Sequence, residues 1–228
     1  MVESYKKEKQ KEIKLFSVDE LRSEGYLNAS KWFGNVELIW NRMKTEKSIN
    51  MTSNDRIDFQ KGFSGQNLNK KYLVLYNSSA KDANALVFDR KSKDWDRNMN
   101  MEFIVESVSY VYYTDDIREA NYLCAILNST TPNLMMKDFQ ARGLFGARHV
   151  HKKILDIYFP LYDDYDKIHK NLSLLSVLSH IKVDKFLEAN PPKQELSAIF
   201  LGKLRRDIKN HLKEEMYEID KLVKKILI

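Results

Sequence analysis

Apolar and polar positions change rhythm twice along this chain. Residues 1–14 are dominated by Lys and Glu, which fits a frayed helix or a disordered arm. Ser17-Val18-Asp19-Glu20 has the form of a capping box and predicts a short helix that ends near Gly25. Over residues 30–46, Trp32, Phe33, Val36, Ile39, Trp40 and Met43 recur at helical spacing. That pattern predicts an amphipathic helix with an aromatic face, with both tryptophans packed in a core. Residues 47–70 are polar and Asn-rich with Gly62 and Gly65, a loop with one helical turn after Thr52.

The rhythm then shortens. Tyr72 to Tyr76 and Ala85 to Phe88 read as strands joined by a turn that begins at Asn77. Phe103-Ile104-Val105 and Val108 to Tyr113 read as two further strands or one long bent one. The first link is too short for a helical crossover, so pairing should be antiparallel. Helical spacing returns at 116–128, behind the capping carboxylates Asp115 and Asp116. Pro132 opens a shorter helix through about Phe139. A basic loop, 140–153, and a short apolar run ending at Pro160 follow.

From 164 onward the pattern is helical with a break at Pro191-Pro192. The last helix, 196–226, sets Leu201, Leu204, Ile208, Leu212, Met216, Ile219, Leu222 and Ile226 on one stripe. A single helix of that length spans about 45 Å and suits a spacer or a partner-helix surface. These elements predict an α+β fold: a small, mainly antiparallel sheet with packed helices and a long C-terminal helical arm. The expected division is 1–163 for the α+β domain and 164–228 for the helical extension.

Composition narrows the classes. With 228 residues and 43% hydrophobic, the chain can bury a core. The excess of 38 basic over 32 acidic side chains gives +6, which fits a phosphate-binding face and many ordinary proteins alike. Cys124 is the single cysteine, so no intrachain disulfide can form. The charged N-terminal residues lack the apolar core of a signal peptide, and no apolar run approaches the roughly 20 residues of a membrane span. A cytoplasmic protein without membrane contact is expected.

Candidate chemistry is concentrated in the loop from Lys137 to Lys153. Arg142, Arg148, Lys152 and Lys153 suit phosphate oxygens, and Gly143 and Gly146 allow close backbone approach. The competing reading folds this loop onto its own domain, with Arg142 and Arg148 paired to Asp115 and Asp116 or to helix C-termini. His149 and His151 alternate as metal ligands on a strand would, but no third ligand stands at a matching spacing, so no metal is expected. Asp89-Arg90-Lys91 mimics part of a Mg²⁺-dependent nuclease site, with Asp82 or Asp58 as a second carboxylate, against a plain solvated turn. Asn190-Pro191-Pro192 lacks the aromatic that follows in amino-methylating enzymes, Lys193 standing there instead, and reads as a helix stop. Cys124 lies among Leu123, Ala125, Ile126 and Leu127 and should be buried.

Three pieces of the chain together resemble a known family. They are Glu119 to Ser129, the loop Arg142-Gly143-Leu144-Phe145-Gly146, and Ile154 to Pro160. Their order is similar to that of the C-terminal target-recognition domain of adenine-N6 DNA methyltransferases and of type I restriction specificity subunits. The family closes the last piece with a sequence like Leu-Pro-Ile-Pro, where this chain has Ile157-Tyr158-Phe159-Pro160, one proline fewer. The resemblance spans about residues 70–228. It implies a module with no catalytic residues of its own, which grips double-stranded DNA for an adenine methyltransferase domain or subunit. S-adenosylmethionine would bind that partner.

It further implies that 140–153 contacts phosphate, because a loop shared by a family cannot encode each member's target. Base reading then falls to Lys61, Gln66, Asn67 and Asn69 in one loop and Lys91 and Arg97 in another, since Asn and Gln match adenine edges and Arg matches guanine. The alternatives are the nuclease built on Asp89 and Lys91, and a helical interaction protein that does not bind DNA. In the latter, Leu201, Leu204, Ile208, Leu212, Ile219, Leu222 and Ile226 would hold a partner helix.

Overall fold

The computed structural model describes residues 13–78, 82–92, 102–106, 108–139, 142–143, 146–147, 154, 157–191 and 197–227. The expected N-terminal arm lies almost wholly outside the described residues. The fold is α+β, with a three-stranded antiparallel sheet and a C-terminal helical region. No helix among the described residues is long and apolar enough to cross a membrane. The chain forms two compact units, Met1–Asn69 with Met101–Ser107, and Lys70–Asn100 with Val108–Ile228. The helices beyond residue 163 belong to the same unit as the sheet.

In the first unit, α1 (Val18–Ser23) begins at the predicted capping box. Ser17 Oγ accepts from Glu20 N, and Glu20 accepts from Ser17 N at 2.9 Å. Helix α2 (Leu27–Met43) packs on α1, and α3 (Ser53–Ile57) repeats the capping arrangement with Thr52 and Asp55. Glu37 of α2 accepts from Ser53 N at 2.8 Å, and Trp40 Nε1 donates to Met51 O at 2.8 Å. Trp40 is half-buried as a result. Trp32 corrects the sequence expectation: it is 60% exposed. Phe33, Val36, Glu37 and Trp40 take the inward side of α2, and the short helices beside it cannot cover the wider apolar arc.

Residues 102–106 form no strand, contrary to the second expectation. Their backbone finds a side chain instead: Val105 N donates to Gln66 Oε1 at 2.8 Å, and Gln66 Nε2 donates to Val105 O at 2.6 Å. A side-chain amide thus replaces the neighbouring strand that a ladder would need.

In the second unit, β1 (Tyr72–Asn77) is the central strand, flanked by β2 (Ala85–Asp89) and β3 (Ser109–Thr114), all antiparallel. Val74 lies opposite both Val87 and Tyr112. Helix α4 (Ile117–Asn128) starts at Asp116, whose carboxylate accepts from Arg118 N at 2.8 Å. Every residue from Ala120 to Leu127 is buried, because α4 has neighbours on all sides. Ala120, Leu123, Cys124 and Leu127 pack with Val74 and Tyr76, while Tyr122, Ala125 and Ile126 pack with Leu172, Ile219 and Val223. A helix apolar around its whole circumference belongs in such a place.

Helix α5 (Thr130–Met135) follows, with Pro132 in its first turn, where no amide hydrogen is needed. Two short strands, β4 (Arg142–Gly143) and β5 (Gly146–Ala147), pair antiparallel. Then come α6 (Lys167–Ala189), α7 (Ala198–His211) and α8 (Lys213–Leu227). The single terminal helix of the sequence reading is thus two helices that meet at Leu212 (φ −93°, ψ 11°). No Gly or Pro stands there. Ile219 and Val223 enter the core, Lys182 of α6 pairs with Glu215 at 2.8 Å, and Asp220 accepts from Thr130 N at 2.7 Å.

Candidate functional site

Asn128 and Tyr122, within one of the segments that carry the resemblance, join elements of the second unit. Strand β2 is a sheet edge, with backbone groups that β1 does not use. Asn128 at the end of α4 meets them: its Oδ1 accepts from Ala85 N at 2.9 Å, and its Nδ2 donates to Ala85 O at 2.8 Å. One turn on, Asn133 Oδ1 accepts from Ala83 N at 2.7 Å while its Nδ2 donates to Leu127 O and Ser129 O. His180 of α6 closes the same edge, Val87 N donating to its Nε2 at 3.2 Å. An exposed strand edge is a template for unwanted pairing, and these side chains occupy it.

The run ending at Pro160 is tied down as firmly. Tyr122 Oη donates to Pro160 O at 2.8 Å, and Asp163 N donates to Nδ1 of buried His169 at 3.0 Å. His169 Nε2 stands 3.4 Å from Tyr122 Oη and, with Nδ1 accepting, is the protonated nitrogen. Burial pushes the Tyr122 phenol well above its ordinary range. It drives the Cys124 thiol to about 12, so the cysteine is an inert core residue, as its neighbours in sequence suggested.

These anchors frame the basic loop. Met136 on one side and Ile154 on the other are each 1% exposed and pack in the same core cluster. Between them the backbone of Arg142 pairs with Ala147, and Gly143 with Gly146. Arg148, Lys152 and Lys153 lie outside the described residues, as do His149 and His151. The carboxylates considered as internal partners for this loop have partners among the described residues. Asp115 pairs with Lys70 at 2.6 Å and accepts from Lys71 N. Asp116 pairs with Arg118 at 2.9 Å. Each cation holds its carboxylate below the ordinary range.

The base-reading candidates are divided between the two units. Lys61, Gln66, Asn67 and Asn69 belong to the first unit, Lys91 to the second, and Arg97 lies outside the described residues. Gln66 is 8% exposed, and its amide is committed to Val105 and to Gly62 O, so it braces its own unit. Lys61 is exposed in a tight turn at φ 57°. Asn67 Oδ1 accepts from Asn69 N at 3.0 Å, shaping the local turn. Lys91 is exposed, its amide donating to Asp89 Oδ1 at 2.8 Å.

Of the nuclease candidates, Asp82, Asp89 and Lys91 belong to the second unit. Asp89 faces Lys71 at 3.8 Å. Asp58 belongs to the other unit, where it accepts from Phe63 N, Ser64 N and Ser64 Oγ, bonds that hold its carboxyl below the ordinary range. Among the described residues no group of three or more His, Cys, Asp and Glu is placed to hold a metal ion. Asn190 caps α6 and donates through its side chain to Phe186 O at 2.9 Å, the helix stop that the sequence indicated.

Half of the apolar stripe meets its partners inside the protein. Ile219 is 2% exposed, and Leu222 and Ile226 pack beside it against Leu172 and Tyr122. Leu201, Leu204, Ile208 and Leu212 are half-buried. Sequence reading missed Asn128, Asn133 and His180 as edge-covering groups. No family model matches the chain, and neither does any curated protein or solved structure.

Proposed function

We propose that this chain is the DNA-holding, target-recognition module of an adenine-N6 DNA methyltransferase or restriction-modification assembly. It acts without catalysis of its own, beside a partner domain or subunit that binds S-adenosylmethionine. The observation that carries the reading is the double anchoring of the basic loop. Arg142, Arg148, Lys152 and Lys153 lie on a span that leaves the core at Met136 and re-enters it at Ile154. A base must leave the stack before its amino group is methylated, and that requires a duplex held still. Cations on a segment fixed at both ends hold phosphates with less loss of chain freedom than cations on a free tail.

Target selection falls in this reading to less regular surface. Lys61, Asn67, Asn69, Lys91 and Arg97 remain its candidates, and Gln66 drops out. The helical-interaction alternative loses its main feature, because the lower half of the apolar stripe is already occupied within the protein. Reversing charge with Arg142→Glu and Arg148→Glu tests the proposal against a pool of duplex sequences. Binding should weaken at least about tenfold and by the same factor for every sequence, because phosphate contacts carry no sequence information. Unchanged affinity would remove the loop from the interface.

A further inference from the structure

Helix α7 carries Lys203, Arg205, Arg206 and Lys209 against one acid, Asp207. At 100° per residue these four cations fall within an arc of about 160° and within about 9 Å along the axis. The opposite side holds Leu201, Leu204 and Ile208, all half-buried, and the Phe186 and His211 rings meet at 5.0 Å. Packing therefore turns the apolar side inward and leaves all four cations exposed. Among the described residues none of the four is in an ion pair. The adjoining α8 differs: it carries Glu214, Glu215, Glu218 and Asp220 against Lys213, Lys221, Lys224 and Lys225, and Glu215 and Glu218 are paired to lysines.

We infer that the exposed face of α7 is a second phosphate-contacting surface, which binds the backbone of a nucleic-acid duplex. This rests on the function proposed above and extends it to a helix that the resemblance would make a mere spacer. A bilayer is the poorer match, because a membrane-surface helix buries its apolar side in lipid and α7 spends that side on its own unit. A protein partner is also poorer. Apart from Ile199 the face offers no apolar anchor, whereas the centres of protein interfaces are depleted of charge and rich in aromatic residues. Closely spaced phosphates ask only for cations at short intervals, two of them here with guanidinium forks.

The test is the salt dependence of duplex binding by the full chain, measured for wild type, for the loop pair Arg142→Glu/Arg148→Glu, and for Arg205→Gln/Arg206→Gln/Lys209→Gln. Glutamine keeps helix propensity near that of Arg and Lys. The α7 variant should bind at least about tenfold more weakly, and its plot of log affinity against log salt should be flatter by about 2.7, three contacts at about 0.9 each. A wild-type slope in a variant with native circular dichroism overturns the inference and leaves the functional proposal standing. If that variant does not fold, Lys203→Gln/Lys209→Gln is read in its place, with a slope flatter by about 1.8 expected and an unchanged slope again decisive. Weaker binding of poly-L-glutamate with duplex binding intact also overturns it, and assigns the face to an acidic protein. Failure of the wild type to bind duplex DNA at all is the distinct result that removes the functional proposal and this inference with it.

Discussion

At the scale of single residues, amide side chains do what strands and helices leave undone. Asn128 satisfies both backbone groups of Ala85 on the sheet edge, and Gln66 does the same for Val105 in the other unit. Asn128→Ala should therefore destabilise the second unit by about 2 kcal/mol, since each backbone group left unsatisfied costs roughly 1–3 kcal/mol. A urea midpoint that does not move would refute the bracing role. Neither side chain was readable as a brace. An amide in a polar loop looks the same whether it will meet a base edge or a distant backbone, and only the fold brings Val105, thirty-nine positions away in sequence, to Gln66. Cys124 was readable, because its immediate neighbours are apolar on every side of a helix.

At the scale of elements, periodicity marked the segments and tertiary packing set their limits. Helix α4 was legible from its caps and its unbroken apolar run, and the sheet from compact β-branched and aromatic stretches. The break at Leu212 was not legible, because no Gly or Pro marks it in the sequence. Ile219→Ala should cost about 3 kcal/mol, whereas Ile199→Ala, at a site 88% exposed, should stay within about 0.5 kcal/mol. Comparable losses at both sites would contradict the two-helix arrangement.

Helix α6 offers a pH test at its cap. Asp166 accepts from Ile168 N and His169 N, and those backbone bonds hold its carboxyl below the ordinary range. A carboxyl depressed in the folded state stabilises above its unfolded value of about 3.9, and that contribution fades as pH falls through the folded value. Asp166→Ala should thus cost about 1 kcal/mol at neutral pH, with the gap from wild type narrowing below about pH 4. A gap that is constant down to about pH 2 would show that the ionised carboxylate is not what caps the helix.

At the scale of the molecule, the first unit is helical, and in the second α4 packs on the sheet on one side and on the C-terminal helices on the other. The α+β class followed from the change of period. The sequence showed no partner for the apolar stripe after residue 196, and α4 meets its C-terminal part, Ile219, Leu222 and Ile226. The proposed function rests on the cations of the loop 140–153, and its plainest test is equilibrium binding of the full chain to a random-sequence duplex at two salt concentrations. Four loop contacts alone predict that affinity falls about 100-fold between about 50 mM and about 200 mM salt, with any contribution from α7 steepening the fall. No measurable binding, or an affinity indifferent to salt, would contradict the account.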